Sequence, residues 1–170
     1  MSIANRHQAV LPTLMDSATC KTCLRPKATH TCVLCKESTC KSCARHVSAD
    51  SFPLMGEVPS NLVEGWACGG CYEEKVEPEI QNYNSEERRA RQMSFFNKNQ
   101  SKESRLFKRI ATPIQVRDCA DRDEALLKLA YAAVKLNYNL IVDVELTSEK
   151  VRNAGYQTCL WHAKGIPTNA

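Results

Sequence analysis

No stretch of this sequence approaches the run of about 20 apolar residues that a membrane-spanning helix requires. The first residues, MSIANRHQAVLPTLMD, lack the long apolar centre and small-residue cleavage pattern of a secretory leader, so a cytoplasmic chain is expected. An excess of one charge is missing too. Lys and Arg number 23 against 19 Asp and Glu, a net of +4, which argues neither for nor against a nucleic-acid partner. Between residues 16 and 71 large apolar side chains are few. That stretch cannot bury a self-sufficient core and needs another source of folding free energy. The chain as a whole, 43% hydrophobic and 25% charged over 170 residues, suits one compact domain or two small ones joined by a linker.

Cysteine is the residue the sequence has in quantity. Eight of its ten cysteines form four identical spacings: Cys20-x-x-Cys23, Cys32-x-x-Cys35, Cys40-x-x-Cys43 and Cys68-x-x-Cys71. A CxxC turn brings two sulfurs to one side of a metal ion, and two such turns complete a tetrahedral S4 site. Four turns therefore predict two Zn2+ per chain with no ligand missing. A disulfide framework also needs an even number of cysteines, but a reducing compartment favours thiolate–metal bonds. The gaps between pairs are eight, four and twenty-four residues. The four-residue gap makes it awkward for the second and third pairs to share an ion. It fits a crossed arrangement, pairs one and three on one zinc and pairs two and four on the other, while spacing alone leaves a sequential arrangement open. The insertion between Cys43 and Cys68 carries Phe52, Leu54 and Met55, expected as anchors packing over the second metal site.

Beyond the finger the character changes. Residues 72–84 carry five charges of net −3, and residues 85–109 carry eight Lys and Arg against three Glu. With helix-favouring Glu86 to Met93 inside it, the span 72–109 reads as a charged, partly helical linker. A small α+β domain is expected over 110–170, and residues 1–15 read as a flexible arm. Asp121 and Glu124 match a capping box that opens a helix over 122–137, with Leu126, Leu127, Ala130, Ala133 and Val134 on one face. Ile110 to Val116 has enough β-branching for a strand, although Pro113 suggests a sheet edge or a loop. Leu140 to Leu146 alternates as a second strand, with Val142, Val144 and Leu146 opposite Asp143 and Glu145. Tyr156 to Ala163 reads as a third, ended by Gly165-Ile166-Pro167.

The pattern CxxC, then Cys-x2-Cys-x4-Cys-x2-Cys, then a distant CxxC preceded by Trp66-Ala67, resembles the FYVE and rabphilin-type fingers across residues 16–71. Asp16 stands where that family has an acidic residue before the first cysteine. The resemblance implies a cross-braced, treble-clef fold related to PHD and RING domains. Phosphoinositide-binding members of the family carry a basic stretch at the third cysteine. Here that place reads Lys27-Ala28-Thr29-His30-Thr31-Cys32, keeping only His30 and Lys27. RING domains want a histidine among their middle ligands and fit worse, which makes a ubiquitin-ligase role a rival reading only. The segments Glu124–Ala133, Asn139–Val144 and Gly155–Gly165 resemble the bacterial YbjQ-like domain. That resemblance implies an α+β, oligomer-forming module labelled heavy-metal-binding.

Functional expectations follow from these residues. His30 and His46 are read as surface groups or donors to sulfur, since eight thiolates already complete two sites. Lys21, Arg25, Lys27, Lys36, Lys41 and Arg45 make the finger modestly basic, which keeps a phosphoinositide membrane as an alternative partner. Arg88, Arg89, Arg91, Lys98, Lys102, Arg105, Lys108 and Arg109 offer an alternative nucleic-acid arm. Cys119 and Cys159 are read as core or neutral; Cys159 and His162, three apart on a strand, point to opposite faces and make a poor metal pair. No set of nucleophile, base and orienting group stands out, so a hydrolase-type subunit is the weaker alternative to a non-enzymatic adaptor that binds a protein partner. The small sheet, carrying Leu160 and Trp161 on opposite faces, is expected to form a homo-oligomer, the alternative being that the stretch around Met93, Phe95 and Phe96 folds back over its free face and leaves a monomer.

Overall fold

The computed structural model describes residues 18–170 apart from 57, 60, 61, 63, 100 and 154. The expected arm over 1–15 and Asp16 lie outside these residues. The finger begins with two short antiparallel ladders: β1 (His30–Thr31) on β2 (Ser38–Thr39), and β3 (Ala44–Val47) on β4 (Gly65–Cys68), with His46 opposite Trp66. Gly65 sits at φ +142°, where a side chain is strained and a Cβ would run into Val33. From β4 the chain turns straight into a helix: α1 (Gly69–Cys71), a π-helical stretch over Tyr72–Val76, and α2 (Glu77–Arg91). Glu73 and Glu74 near the start of this continuous helix and Arg88, Arg89 and Arg91 in its last turn suit the helix dipole.

Four strands make the C-terminal sheet. They are β5 (Ser94–Asn97), β6 (Ile114–Cys119), β7 (Leu140–Asn153) and β8 (Tyr156–Thr168), in the order β5-β7-β8-β6. A short α3 (Ser101–Ser104) follows β5, and α4 (Arg122–Lys135) joins β6 to β7. Since β8 is antiparallel to both β6 and β7, the unit β6–α4–β7 is a split β-α-β with β8 inserted between its strands. Asp121 caps α4 by accepting from the Glu124 N–H at 2.8 Å, while the Glu124 carboxylate accepts from the Ala120 N–H at 2.6 Å.

The span 72–109, expected as a linker, is built into the folded body. α2 lies against α4, with Tyr83 and Ala90 buried. β5 pairs in parallel with β7, Ser94 opposite Leu140. Met93 is buried and Phe95 packs on the core, while Phe96 meets Phe107 at 5.4 Å between ring centroids. The apolar residues of this basic stretch alternate with polar ones too briefly to announce a strand, and only the ladder with β7 makes them one. The two later strands also outrun their expected ends. β8 passes through Pro167 because its ladder with β6 stops at Gly165, so the missing N–H faces no partner strand there. Gly165 lies opposite a bulge in β7, and a Cβ on it would stand 2.5 Å from Ile141 Cγ2.

α4 is covered on both sides, by the sheet and by α2. Ala125, Leu129, Ala130, Ala133 and Val134 are fully or nearly fully buried, with Leu126 and Leu127 half-buried beside them. The finger joins the same core. Phe52, at 3% exposure, meets Tyr83 edge-on at 5.1 Å, and Tyr83 meets Tyr131 at 5.6 Å. The anchors of the long insertion thus reach α2 and are not confined to the second cysteine cluster. No described helix is long and apolar enough to cross a membrane.

Candidate metal centres

Three local devices present the four cysteine pairs. In the first two pairs the chain folds into the same knuckle. The Leu24 N–H donates to the Cys20 carbonyl and the Cys20 N–H to the Arg25 carbonyl. The Lys36 N–H likewise donates to the Cys32 carbonyl and the Cys32 N–H to the Glu37 carbonyl. Closing this turn forces the residue after the second cysteine into the left-handed region, and Leu24 and Lys36 adopt φ +58° and +63°. The third pair sits in a turn in which the Cys43 N–H and Ala44 N–H both point at the Cys40 carbonyl. The fourth straddles a strand-to-helix junction: Cys68 ends β4 and Cys71 ends α1.

These devices gather the eight sulfurs into two clusters, Cys20, Cys23, Cys40 and Cys43 in one, Cys32, Cys35, Cys68 and Cys71 in the other, with the ligand atoms of each within 4.8 Å of one another. The pairs interleave, one with three and two with four, and all ten cysteines are free of disulfide bonds. Cys23 Sγ lies 3.7 Å from Cys40 Sγ, and Cys35 Sγ 3.8 Å from Cys68 Sγ. A tetrahedron of sulfurs about 2.3 Å from a central zinc has edges of about 3.8 Å. The donor set and spacing therefore fit two Zn2+ sites per chain.

Electrostatics point the same way. The N–H groups of Cys23 and Cys40 hold the Cys20 thiol down at about 5. Burial works against Cys32, but the N–H groups of Cys35, Cys68 and Leu34 still lower it to about 6. Within the same clusters the neighbouring Cys40 and Cys23 thiols push Cys43 up to about 12, and burial with the Cys68 thiol pushes Cys71 up to about 12. Four crowded sulfurs cannot all ionise side by side without a cation between them. Around them the Cys68 N–H donates to Cys32 Sγ at 3.3 Å, and the Ser42 hydroxyl lies 3.1 Å from Cys40 Sγ. The Lys21 ammonium, 3.6 Å from Glu37, is raised by that carboxylate and by the thiols of Cys35 and Cys68. Ser42 and Lys21 carry no sequence mark of this role; their neighbourhood comes from the crossing of the chain.

His30 and His46 stay out of both clusters. They flank Trp66, His30 stacked at 4.4 Å and His46 edge-on at 5.0 Å, while the Arg45 guanidinium lies 5.2 Å from the centre of the Tyr72 ring. Leu24 stands 77% exposed beyond the first knuckle. Among the described residues, three of the basic groups between 88 and 109 have carboxylate partners: Arg91 on Glu87, Lys98 on Glu145 and Arg109 on Asp143. Cys119 ends β6 and is buried, and Cys159 is exposed on β8. The His162 ring accepts at Nδ1 from the Asp118 N–H at 3.2 Å, facing away from Cys159. No His, Cys, Asp or Glu group beyond the two cysteine clusters meets metal-binding distances among the described residues.

The interleaved clusters, the paired ladders and the helix that leaves Cys71 are consistent with a cross-brace-type zinc-binding module, followed by an α+β layer. Comparison with protein-family models, with curated proteins and with solved structures finds no match to this chain. The YbjQ-like resemblance of the second unit accordingly has no counterpart there.

Proposed function

We propose that this chain is a non-enzymatic adaptor stapled by zinc. In this reading Cys20, Cys23, Cys40 and Cys43 hold one Zn2+, Cys32, Cys35, Cys68 and Cys71 hold the other, and the finger offers its surface to a protein partner. The C-terminal layer gathers copies of the chain. One observation carries it: two interleaved sets of four thiols, each spaced for a complete tetrahedron. A saturated S4 sphere leaves no position at which water or substrate can meet the metal, so the ions supply folding free energy and shape in place of Lewis-acid chemistry. The ring surface of His30, Trp66 and His46, with Arg45 close by on β3, supports the finger as the contact face, since aromatic and Arg side chains are enriched at protein interfaces.

Purified under reducing conditions, the chain should contain about two zinc ions, as two S4 sites require. Cobalt(II) replacement separates the sites: Cys20→Ser and Cys40→Ser should abolish the same half of the thiolate–metal absorption, and Cys32→Ser and Cys68→Ser the other half. Substoichiometric metal with cysteines recovered as disulfides would overturn the reading.

A further inference from the structure

β7 and β8 run on together well past their neighbours. The ladder of β5 on β7 ends at Asn97 opposite Val144, and the ladder of β6 on β8 ends at Cys119 opposite Trp161. Beyond those points β7 and β8 continue as a two-stranded ribbon to the pair Asn153–Tyr156. Two strands alone are marginal in water; three or more are needed for an independently stable sheet. Along Tyr156–Leu160, β8 has β7 on one side and no strand on the other among the described residues.

That open edge is unlike the others. β6 presents Arg117 and Asp118, the free part of β7 presents Glu149, Lys150 and Arg152, and β5 is only four residues long with Lys98 next to it. Charges and shortness are how proteins keep sheet edges from pairing with other chains. Tyr156-Gln157-Thr158-Cys159-Leu160 has no charge, no proline and no glycine, and it is rich in strand-favouring residues. Its Tyr156 is 79% exposed, and Gln157, Thr158 and Cys159 are exposed as well.

We infer that this edge pairs antiparallel with the same edge of a second copy about a two-fold axis at Thr158. The inference rests on the self-association proposed above and gives it a location. The segment is self-complementary in that register. Tyr156 faces Leu160 of the second copy, Thr158 faces its own counterpart, and Gln157 faces Cys159. Tyr156, Thr158 and Leu160 share one face of the strand by its period of two, so the contact forms a Tyr–Leu, Thr–Thr, Leu–Tyr stripe, and apolar cross-strand pairs of this kind stabilise a sheet. Val151, half-buried and opposite Thr158 within each ribbon, widens the stripe. The pairing converts two marginal ribbons into one four-stranded sheet, and no like charges meet across the join.

The test uses the full zinc-loaded chain. Directly opposite residues of an antiparallel pair lie about 4.5–5.5 Å apart at Cα, inside the range a disulfide spans. Thr158→Cys in a Cys159→Ser background should therefore give a covalent dimer on mild oxidation. The unmodified chain should not cross-link through Cys159, which stands one residue off the axis and faces Gln157, leaving its own counterpart at a diagonal distance of about 7–8 Å. Thr158→Lys, placing two ammonium groups against each other, should convert the dimer seen by light scattering to monomer with zinc content unchanged. A wild-type chain that stays monomeric at about 100 µM overturns both this inference and the self-association it rests on. A Thr158→Lys chain that remains dimeric, or a failed cross-link at position 158, overturns the edge contact and leaves assembly through another surface standing.

Discussion

Asp143 and Asp118 adopt left-handed backbone dihedrals, φ +52° and +57°, at bulges in the two strands that flank β8. Gly, Asn and Asp enter this region most readily, and each of these bulges holds its aspartate there as the strand takes in its extra residue. Asp143 has a second duty. Arg109 donates to both of its oxygens, at 2.5 and 3.1 Å, and also to the Ser104 hydroxyl at 3.0 Å, tying the segment after α3 to the sheet. The two duties separate by substitution. Asp143→Val places a β-branched residue at positive φ and should cost about 1–3 kcal/mol in urea unfolding. Asp143→Asn keeps the backbone preference and loses the charge, for a loss on the order of 1 kcal/mol. The Arg109 guanidinium holds the Asp143 carboxyl below the usual carboxylate range. Its contribution is complete above about pH 4 and is lost as pH falls through that lowered value. The stability gap between wild type and Asp143→Asn should therefore shrink below about pH 4; a gap independent of pH would refute the ion pair. At this scale the capping role of Asp121 and Glu124 was legible, because a cap depends on neighbours three residues apart. The bulges were not, because an aspartate in a strand looks the same whether its φ is negative or positive.

Elements held together by local pattern were readable, and those defined by a distant partner were not. α4 appears from its cap and its apolar spacing, ending at Lys135 instead of near residue 137. α2 was legible only as a helical portion around Glu86 to Met93 of a charged linker, and β5, four residues without a charge, gave no signal of its own. α2 has only Tyr83 and Ala90 fully buried, too few to mark an apolar stripe. Tyr83 nevertheless links three parts of the fold. It lies between Phe52 of the finger and Tyr131 of α4, its pKa is raised by burial, and the Leu54 N–H reaches its hydroxyl. Tyr83→Ala should cost about 3–5 kcal/mol, as for other large buried rings. In a double-mutant cycle Phe52→Ala and Tyr83→Ala should couple by about 0.5–1.5 kcal/mol. Additive losses would mean that the finger insertion does not bear on α2. Tyr131 extends the linkage, donating to the Glu86 carboxylate at 2.8 Å, with Lys135 at 3.5 Å from the same residue.

On the scale of the whole molecule, the crossing of the metal sites was legible and the union of finger and layer was not. A four-residue gap between the second and third pairs constrains metal geometry directly. Whether Phe52 covers a zinc site or a helix depends on where α2 points, and that is decided by the unbroken helix leaving Cys71. The buried residues of finger and layer form one contiguous core, from Cys32, Val47, Phe52 and Leu62 through Tyr83 to Leu129 and Ala163. Zinc in this arrangement should support the sheet as well as the finger. Structural zinc contributes on the order of 10 kcal/mol to folding its own module, and without it the insertion has no fixed frame from which to press Phe52 on Tyr83. Losing one buried aromatic contact of that size removes about 1.5–3 kcal/mol from the layer, which in a chain of this length lowers its melting temperature by at least about 3 °C. Calorimetry on the zinc-loaded chain should show a single transition. After chelation under reducing conditions the finger's contribution should vanish and the remaining transition, carried by β5–β8 and α4, should move down by that amount or more. Two independent transitions in the loaded chain, with the upper one indifferent to chelator, would show that finger and layer are separate folding units.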